Sequence, residues 1–138
     1  MARLLPVLLP LLLSAALPGA LRAQPSIGAP SVDQTFDRIE RLQQQSAARQ
    51  RAINLARNTI VKLNGGLTRY MPAACMFSTG SGVGNCLVAS TAEGFRFRFS
   101  GGAPGWQQQG QAPTLSSEVL ISPDGRQVLE VVDNAAPC

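Results

Sequence analysis

The 138-residue chain contains no histidine, and its eight acidic residues are dispersed along the sequence. Histidine is the residue that proteins use most often as a general base and as a metal ligand. Without it the three cysteines make a poor zinc site, because no two of them have C-x-x-C spacing. We therefore expect a protein that is not an enzyme and that carries no metal or other cofactor.

Long apolar runs are also lacking, even at the amino terminus. Residues 1–23 combine a basic start at Arg3, apolar residues over 4–17 and small residues that end at Ala23, an order typical of a secretory signal peptide. Prolines interrupt the apolar run, which falls short of the ~20 residues that a membrane-spanning helix needs. We expect an exported protein, periplasmic or extracellular (lumenal where the cell has such a compartment), with no membrane anchor once residues 1–23 are removed.

Charged residues are scarce as well, at 14% of the chain. The formal excess of four positive charges includes Arg3 and Arg22, which lie in the leader. The remaining ten basic and eight acidic residues nearly balance. The charge therefore gives no reason to expect a nucleic-acid partner.

The strongest helical pattern covers residues 31–66, after a short segment at 24–30 that we expect to be flexible. Ser31 followed three residues later by Gln34 predicts a capping box at the helix start. Residues 64–66 read Asn-Gly-Gly, a sequence that ends helices. The pattern therefore predicts one long helix.

Such a helix would be about 50 Å long, whereas strands of five or six residues are only ~17–20 Å long. Two arrangements are consistent with this mismatch. In the first, which we favour, the helix bends or divides into two pieces near residues 45–48 and packs on its own domain. In the second, its first half extends beyond the sheet and presents Phe36, Ile39 and Leu42 to another chain.

After the helix the period of the apolar pattern changes from 3.6 to 2. The clearest strand is GFRFRFS at residues 94–100. Alternation places its three phenylalanines on one face and Arg96 and Arg98 on the other. The phenylalanines mark this strand as the centre of the core.

A second hairpin is predicted from residues 123–125, Pro-Asp-Gly, which favour a turn between strands over 118–122 and 127–133. The fold class expected from these patterns is α+β, with one long N-terminal helix packed on a four- to five-stranded antiparallel sheet. Residues 67–138 form the sheet region, and residues 31–138 form a single domain.

The order of a long helix and then strands resembles the layout of type IV pilins and of cystatins. The helix is polar and does not start in the exported leader as a pilin's does. The segments NGGLTRY (64–70) and PGW (104–106) are too short to assign a cystatin. The sequence is therefore assigned to neither family.

The cysteines predict a disulfide, because an exported protein meets an oxidising environment. Cys75 and Cys86 are placed to face each other across a hairpin centred on residues 80–81, Gly-Ser. Such a bond would contribute about 3 kcal/mol on the chain-entropy model. Cys138 could instead bond either of them, and any pairing leaves one cysteine for another chain or as a thiol.

Two other functions of the glycine-rich segment at residues 76–85 are disfavoured. It lacks the Gly-Lys-Ser/Thr of a phosphate-binding loop, and a strand rather than a helix is predicted after it. A catalytic thiol would need a base or a cation beside it, and residues 71–91 contain no charged side chain.

The remaining candidates for binding are weaker. Trp106 lies in a Gly-, Pro- and Gln-rich loop at residues 101–113 and either holds a glycan or peptide or anchors the loop in the core. Arg96 and Arg98, together with arginines of the helix, could bind an anion, although a solvated sheet face accounts for them as well.

We expect a small exported interaction module that binds a protein partner, or a second copy of itself, through Phe36, Ile39 and Leu42 or through Trp106. The alternative is a ligand-binding or inhibitor domain that uses the loop around Trp106 to hold a glycan or a peptide.

Overall fold

The protein has an α+β fold in which one long helix is followed by antiparallel strands. The computed structural model describes residues 28, 30–78 and 86–137, so the predicted signal peptide and most of residues 24–30 lie outside the described residues. The expected fold class is confirmed. The elements are helix α1 (Val32–Leu63) and strands β1 (Met71–Pro72), β2 (Leu87–Thr91), β3 (Gly94–Gly102), β4 (Leu115–Ile121) and β5 (Val128–Ala135).

Both ends of α1 form as the sequence predicts. The Ser31 hydroxyl accepts a hydrogen bond from the backbone N–H of Gln34 at 3.3 Å, and the Gln34 side chain accepts one from the Ser31 N–H at 3.2 Å. This reciprocal capping box satisfies two amide groups that have no partner inside the helix. At the other end Gly65 and Gly66 adopt φ values of +88° and +87°, which favour glycine and turn the chain away from the helix.

Strand β3 organises the sheet. Its partner on one edge is β4, with Phe97 opposite Val119, and β5 follows beyond β4. Two short strands, β1 and β2, pair with different parts of its other edge. A nine-residue strand is long enough to take both, so β3 lies at the centre of the sheet.

The core lies between one face of the sheet and the second half of α1. Alternation along β3 buries its three phenylalanines and directs Arg96 and Arg98 to the opposite face, as predicted. Burying one such aromatic side chain contributes about 2–3 kcal/mol. The main side chains of this core are Ile53, Ala56, Ile60, Phe95, Phe97, Phe99, Val119 and Ile121.

The β4–β5 turn packs against the helix at its midpoint. Gly125 has φ +73°, and a Cβ atom there would overlap the carbonyl oxygen of Ala48. The turn is therefore in backbone contact with α1, and its Pro-Asp-Gly sequence supplies the required conformation. Ala48 is also the first buried residue of the helix.

The favoured expectation, a bent or two-piece helix packed on its own domain, is wrong. α1 is one uninterrupted helix of 32 residues, and every residue from 31 to 47 is exposed. At 1.5 Å per residue the helix is about 48 Å long, whereas β4, with seven residues, covers about 24 Å. The sheet is too short to cover the first half.

The disulfide pairs the predicted cysteines, but not across a hairpin. Cys75 and Cys86 are bonded, with their Cα atoms 5.9 Å apart. Cys75 lies in a single 3-10 turn, Ala74–Met76, and Cys86 directly precedes β2. The predicted register is wrong because β1 and β2 each pair with β3 rather than with each other. The turn predicted at residues 80–81 and Cys138 lie outside the described residues.

Candidate functional site

The exposed first half of α1 carries a stripe of large apolar side chains. We call residues 32–47 the arm; at 1.5 Å per residue it is about 24 Å long. Its apolar residues recur every three or four positions, so they share one side of the helix. The arm stripe consists of Val32, Phe36, Ile39 and Leu42, which are 70%, 65%, 45% and 57% exposed.

The arm stripe faces away from the rest of the described chain. The opposite side of the helix, which includes Arg41 and Gln44, lines an open cleft of about 650 Å³ together with Pro123 and Asp124. With 100° of rotation per residue, the mean directions of the arm stripe and of the cleft-lining residues differ by about 150°. The β4–β5 turn therefore cannot cover the stripe.

The turn is held on that opposite side by a polar contact. The guanidinium of Arg51 donates two hydrogen bonds, from Nε and Nη2, to the carbonyl oxygen of Asp124 at 3.1 and 2.9 Å. A second contact orders the turn itself, because the Ser122 hydroxyl accepts hydrogen bonds from the N–H groups of Arg126 and Gln127. The base of the arm is therefore held firmly where the arm leaves the core.

Trp106 anchors its loop rather than presenting a free ring. Its side chain is only 8% exposed, and its Nε1–H donates a hydrogen bond to the carbonyl oxygen of Met71 at 2.9 Å. The Gln107 side chain adds a second tie, since its Oε1 accepts from the Ala74 N–H at 2.9 Å. Buried tryptophans usually hold their N–H in this way.

The loop nevertheless borders a shallow cleft of about 390 Å³, lined by Met71, Pro72, Phe77 and Trp106 among others. Phe77 is exposed, and the guanidinium of Arg57 lies 4.9 Å from the centre of its ring, within the range of a cation–π contact. Sequence reasoning missed Phe77.

Arg96 and Arg98 bind a carboxylate of their own chain. The two guanidinium groups each lie 2.7 Å from one oxygen of Glu118, which is directly opposite Arg98 on β4. The hydrogen bond from Arg96, and next that from Arg98, lower the pKa of Glu118 below its usual value. Glu118 thus occupies the anion position that these arginines could have offered to a ligand.

The wider anion-binding surface that the sequence suggested does not assemble. Arg96 and Arg98 lie on the outer face of the sheet, opposite to the face that packs on α1. Two of the helix arginines are engaged elsewhere, Arg51 with Asp124 and Arg57 with the carbonyl oxygen of Met76 at 3.2 Å. The strand and helix arginines therefore lie on different sides of the domain.

Within the described ranges no three His, Cys, Asp or Glu side chains are placed to hold a metal ion. The one helix longer than a single turn in that part of the chain is not apolar enough to cross a membrane.

Comparison with known proteins found no matching family model, no similar curated protein and no similar solved structure.

Proposed function

We propose that the protein is an exported, non-enzymatic interaction module that binds a protein partner through the arm stripe. The observation that carries this proposal is the exposure of four large apolar side chains on one side of a helix that its own sheet does not reach. Single exposed apolar residues are common on protein surfaces, whereas a contiguous group of them marks an interaction site.

Covering the stripe would be strongly favourable. Its four side chains expose about 100 Å² of apolar surface each, so a partner would remove about 400 Å² from water, worth about 10 kcal/mol before the costs of association. Those costs consume much of this gain. The free energy that remains corresponds to a specific complex of moderate affinity.

A partner would also stabilise the arm itself. Helices of fewer than about 12–15 residues are marginal in water without packing. The arm continues a helix that is already formed, and Ser31 caps its free end. Both features favour the helical conformation of the arm before a partner binds. A docked partner supplies the tertiary packing that most protein helices depend on.

Export is supported by two independent features. Residues 1–23 have the order of a signal peptide, and Cys75 and Cys86 form a disulfide, which persists in oxidising compartments. In this proposal the partner is another protein of the same compartment.

The test compares two leucines of the same helix with equal exposure. Leu42 in the arm is 57% exposed and Leu63 at the far end is 58% exposed. A photo-crosslinking residue is placed at each position in turn in the exported protein. We expect a discrete crosslinked protein from position 42 only, and loss of that product when Phe36→Ala is added.

Two results would contradict the proposal. One is the same crosslinking pattern from both positions, which would mean that the arm is not selective. The other is unfolding of the domain by Phe36→Ala and by Leu42→Ala, which would mean that the stripe belongs to a core.

A second function is supported by the cleft beside Trp106. Its volume of about 390 Å³ lies within the range of small-ligand sites, which combine apolar walls with a few polar groups. The exposed ring of Phe77 supplies an apolar wall, and the side chain of Gln108 a polar group. A short peptide or a glycan is the class of ligand that we propose for this alternative.

Trp106 is the only tryptophan of the chain, so its fluorescence reports on this cleft. Titration with peptide and glycan panels should shift the emission of the wild type and not of a Phe77→Ala variant. A flat response to every ligand would rule the alternative out for those classes.

A further inference from the structure

The charged residues beside the arm stripe are segregated by sign. At 100° per residue, Asp33 and Glu40 lie about 90–115° to one side of the stripe. Arg38 and Arg49 lie at a similar angle on the other side, and all four side chains are exposed. We call Asp33 and Glu40 the acidic flank, and Arg38 and Arg49 the basic flank. Arg51, beyond the arm, lies on the side of the acidic flank, but its guanidinium is held by two hydrogen bonds to the carbonyl oxygen of Asp124.

Segregated flanks distinguish the two ways in which a pair of such helices can associate. In a parallel pair, the left flank of one helix lies beside the right flank of the other, so an acidic flank meets a basic one. In an antiparallel pair, equivalent flanks meet, so acid faces acid and base faces base. Charge complementarity therefore favours a second arm running in the same direction.

The attached domains leave room for this arrangement. The buried residues of the second half of α1 point about 110° away from the mean direction of the arm stripe. A two-fold axis along a parallel helix pair turns the second domain through 180°. The two sheets then lie on opposite sides of the pair and do not compete for the same space.

We infer that the partner of the arm stripe is the arm stripe of a second copy, with the two helices parallel. This inference rests on the proposed function, because it assigns an occupant to the same surface. The two stripes bury about 800 Å² of apolar surface in total, which at an apolar share of roughly 65% corresponds to an interface of about 1,200 Å², the lower limit for a stable one. The dimer is therefore weak, and it forms as the concentration rises.

Sedimentation velocity over about 10 µM to 1 mM, a range suited to weak association, tests the dimer in a Cys138→Ser background that excludes disulfide-linked dimers. We expect a concentration-dependent shift from monomer to dimer, lost in Phe36→Ala. Leu63→Ala, which changes an equally exposed leucine outside the arm, should dimerise as the parent does.

Charge reversals test the orientation. In a parallel pair Arg38→Glu faces the acidic flank and Glu40→Arg faces the basic flank, so each should weaken the dimer about 3- to 10-fold. The double variant Arg38→Glu/Glu40→Arg should restore it. Arg41→Glu makes the same charge change on the cleft side of the helix and serves as the matched control.

Cysteines placed in the stripe give an independent measurement. Thr35 and Ser46 lie near the stripe and are exposed, and 11 residues separate them by about 16 Å. In a parallel pair, Thr35→Cys and Ser46→Cys should each form a disulfide with its own counterpart. An antiparallel pair can bring only one such position close to its two-fold axis.

Each contrary result has a defined meaning. A monomer at every concentration, or a dimer that Phe36→Ala leaves intact, overturns the assignment of a second copy. Tighter association in Arg38→Glu overturns the parallel orientation. If the protein remains monomeric while position 42 still crosslinks to a different protein, the inference fails and the proposed function stands.

Discussion

Gly125 and Ala48 are in backbone contact, and this contact divides the helix into a buried half and an exposed half. A Cβ atom at Gly125 would overlap the carbonyl oxygen of Ala48, the first buried residue of α1. Upstream of this point the side chains of the arm are exposed, and downstream the helix packs on the sheet. The position of one glycine in a turn thus sets where the arm leaves the core.

Gly125→Ala is expected to lower the free energy of unfolding by about 2–4 kcal/mol, because it adds a steric overlap to an unfavourable positive φ. Gly110 is the matched control. It has φ +64° with no atom close to the added Cβ, so Gly110→Ala should cost only about 1 kcal/mol. Urea unfolding measures both. If both variants lost the same free energy of unfolding, the turn at Gly125 would not be in close contact with the helix.

Leu42→Ala is expected to change the free energy of unfolding of the monomer by less than about 0.5 kcal/mol, as for other exposed sites. Ile53 lies in the same helix and is 2% exposed. The Ile53→Ala substitution should lower the free energy of unfolding by about 2–5 kcal/mol. Thermal or urea unfolding at low concentration makes the comparison. A loss of more than about 2 kcal/mol for Leu42→Ala would place this side chain in a core.

Removing the disulfide in a Cys75→Ala/Cys86→Ala variant should lower the free energy of unfolding by about 3 kcal/mol, because the bond removes conformational entropy from the unfolded chain. Peptide mapping of the non-reduced protein should recover the 75–86 pair, so alkylation of a monomer should label Cys138 alone. A bond from Cys138 to either of the other cysteines would contradict this pairing.

Glu118 should make stability depend on pH in the acid range. Its pKa is lowered in the folded state, first by the hydrogen bond from Arg96 and then by that from Arg98. Its contribution is therefore complete above the ordinary glutamate pKa of about 4.3 and is lost as the pH falls through the lowered value. Glu118→Gln should cost about 1 kcal/mol at pH 7.

The measurement is the free energy of unfolding of wild type and Glu118→Gln between about pH 7 and pH 2, since the difference should shrink below the ordinary pKa. Asp37→Asn, at an exposed position outside this cluster, controls for the loss of a negative charge. A difference that stays constant down to the lowest pH would mean that the two arginines do not stabilise the ionised carboxylate.

Much of the local structure was predictable because it depends on near neighbours in the chain. The capping box at Ser31 and Gln34, the glycines that end α1 and the turn at 123–125 formed as expected. The alternation of phenylalanine and arginine in β3 also indicated correctly which face is buried. Each of these rests on dihedral preferences or on periodicity, which a few consecutive residues determine.

The errors arose where two distant segments compete for the same partner. The 75–86 pairing was predicted, but the spacing of the cysteines could not reveal that β1 and β2 both pair with β3. The carboxylate of Glu118 between two arginines was likewise hidden, since strand register decides which side chains lie opposite each other.

The sequence by itself determined a long capped helix, an antiparallel sheet and a mismatch between helix and strand lengths. It favoured a disulfide between Cys75 and Cys86 but left a bond to Cys138 open. Only the tertiary structure decided how that mismatch is resolved. The β4–β5 turn meets α1 at Ala48, and among residues 28, 30–78 and 86–137 no strand extends past it, so Phe36, Ile39 and Leu42 stay in solvent. The physical reason is that a helical pattern specifies which residues share a side, whereas burial depends on what the rest of the chain can reach.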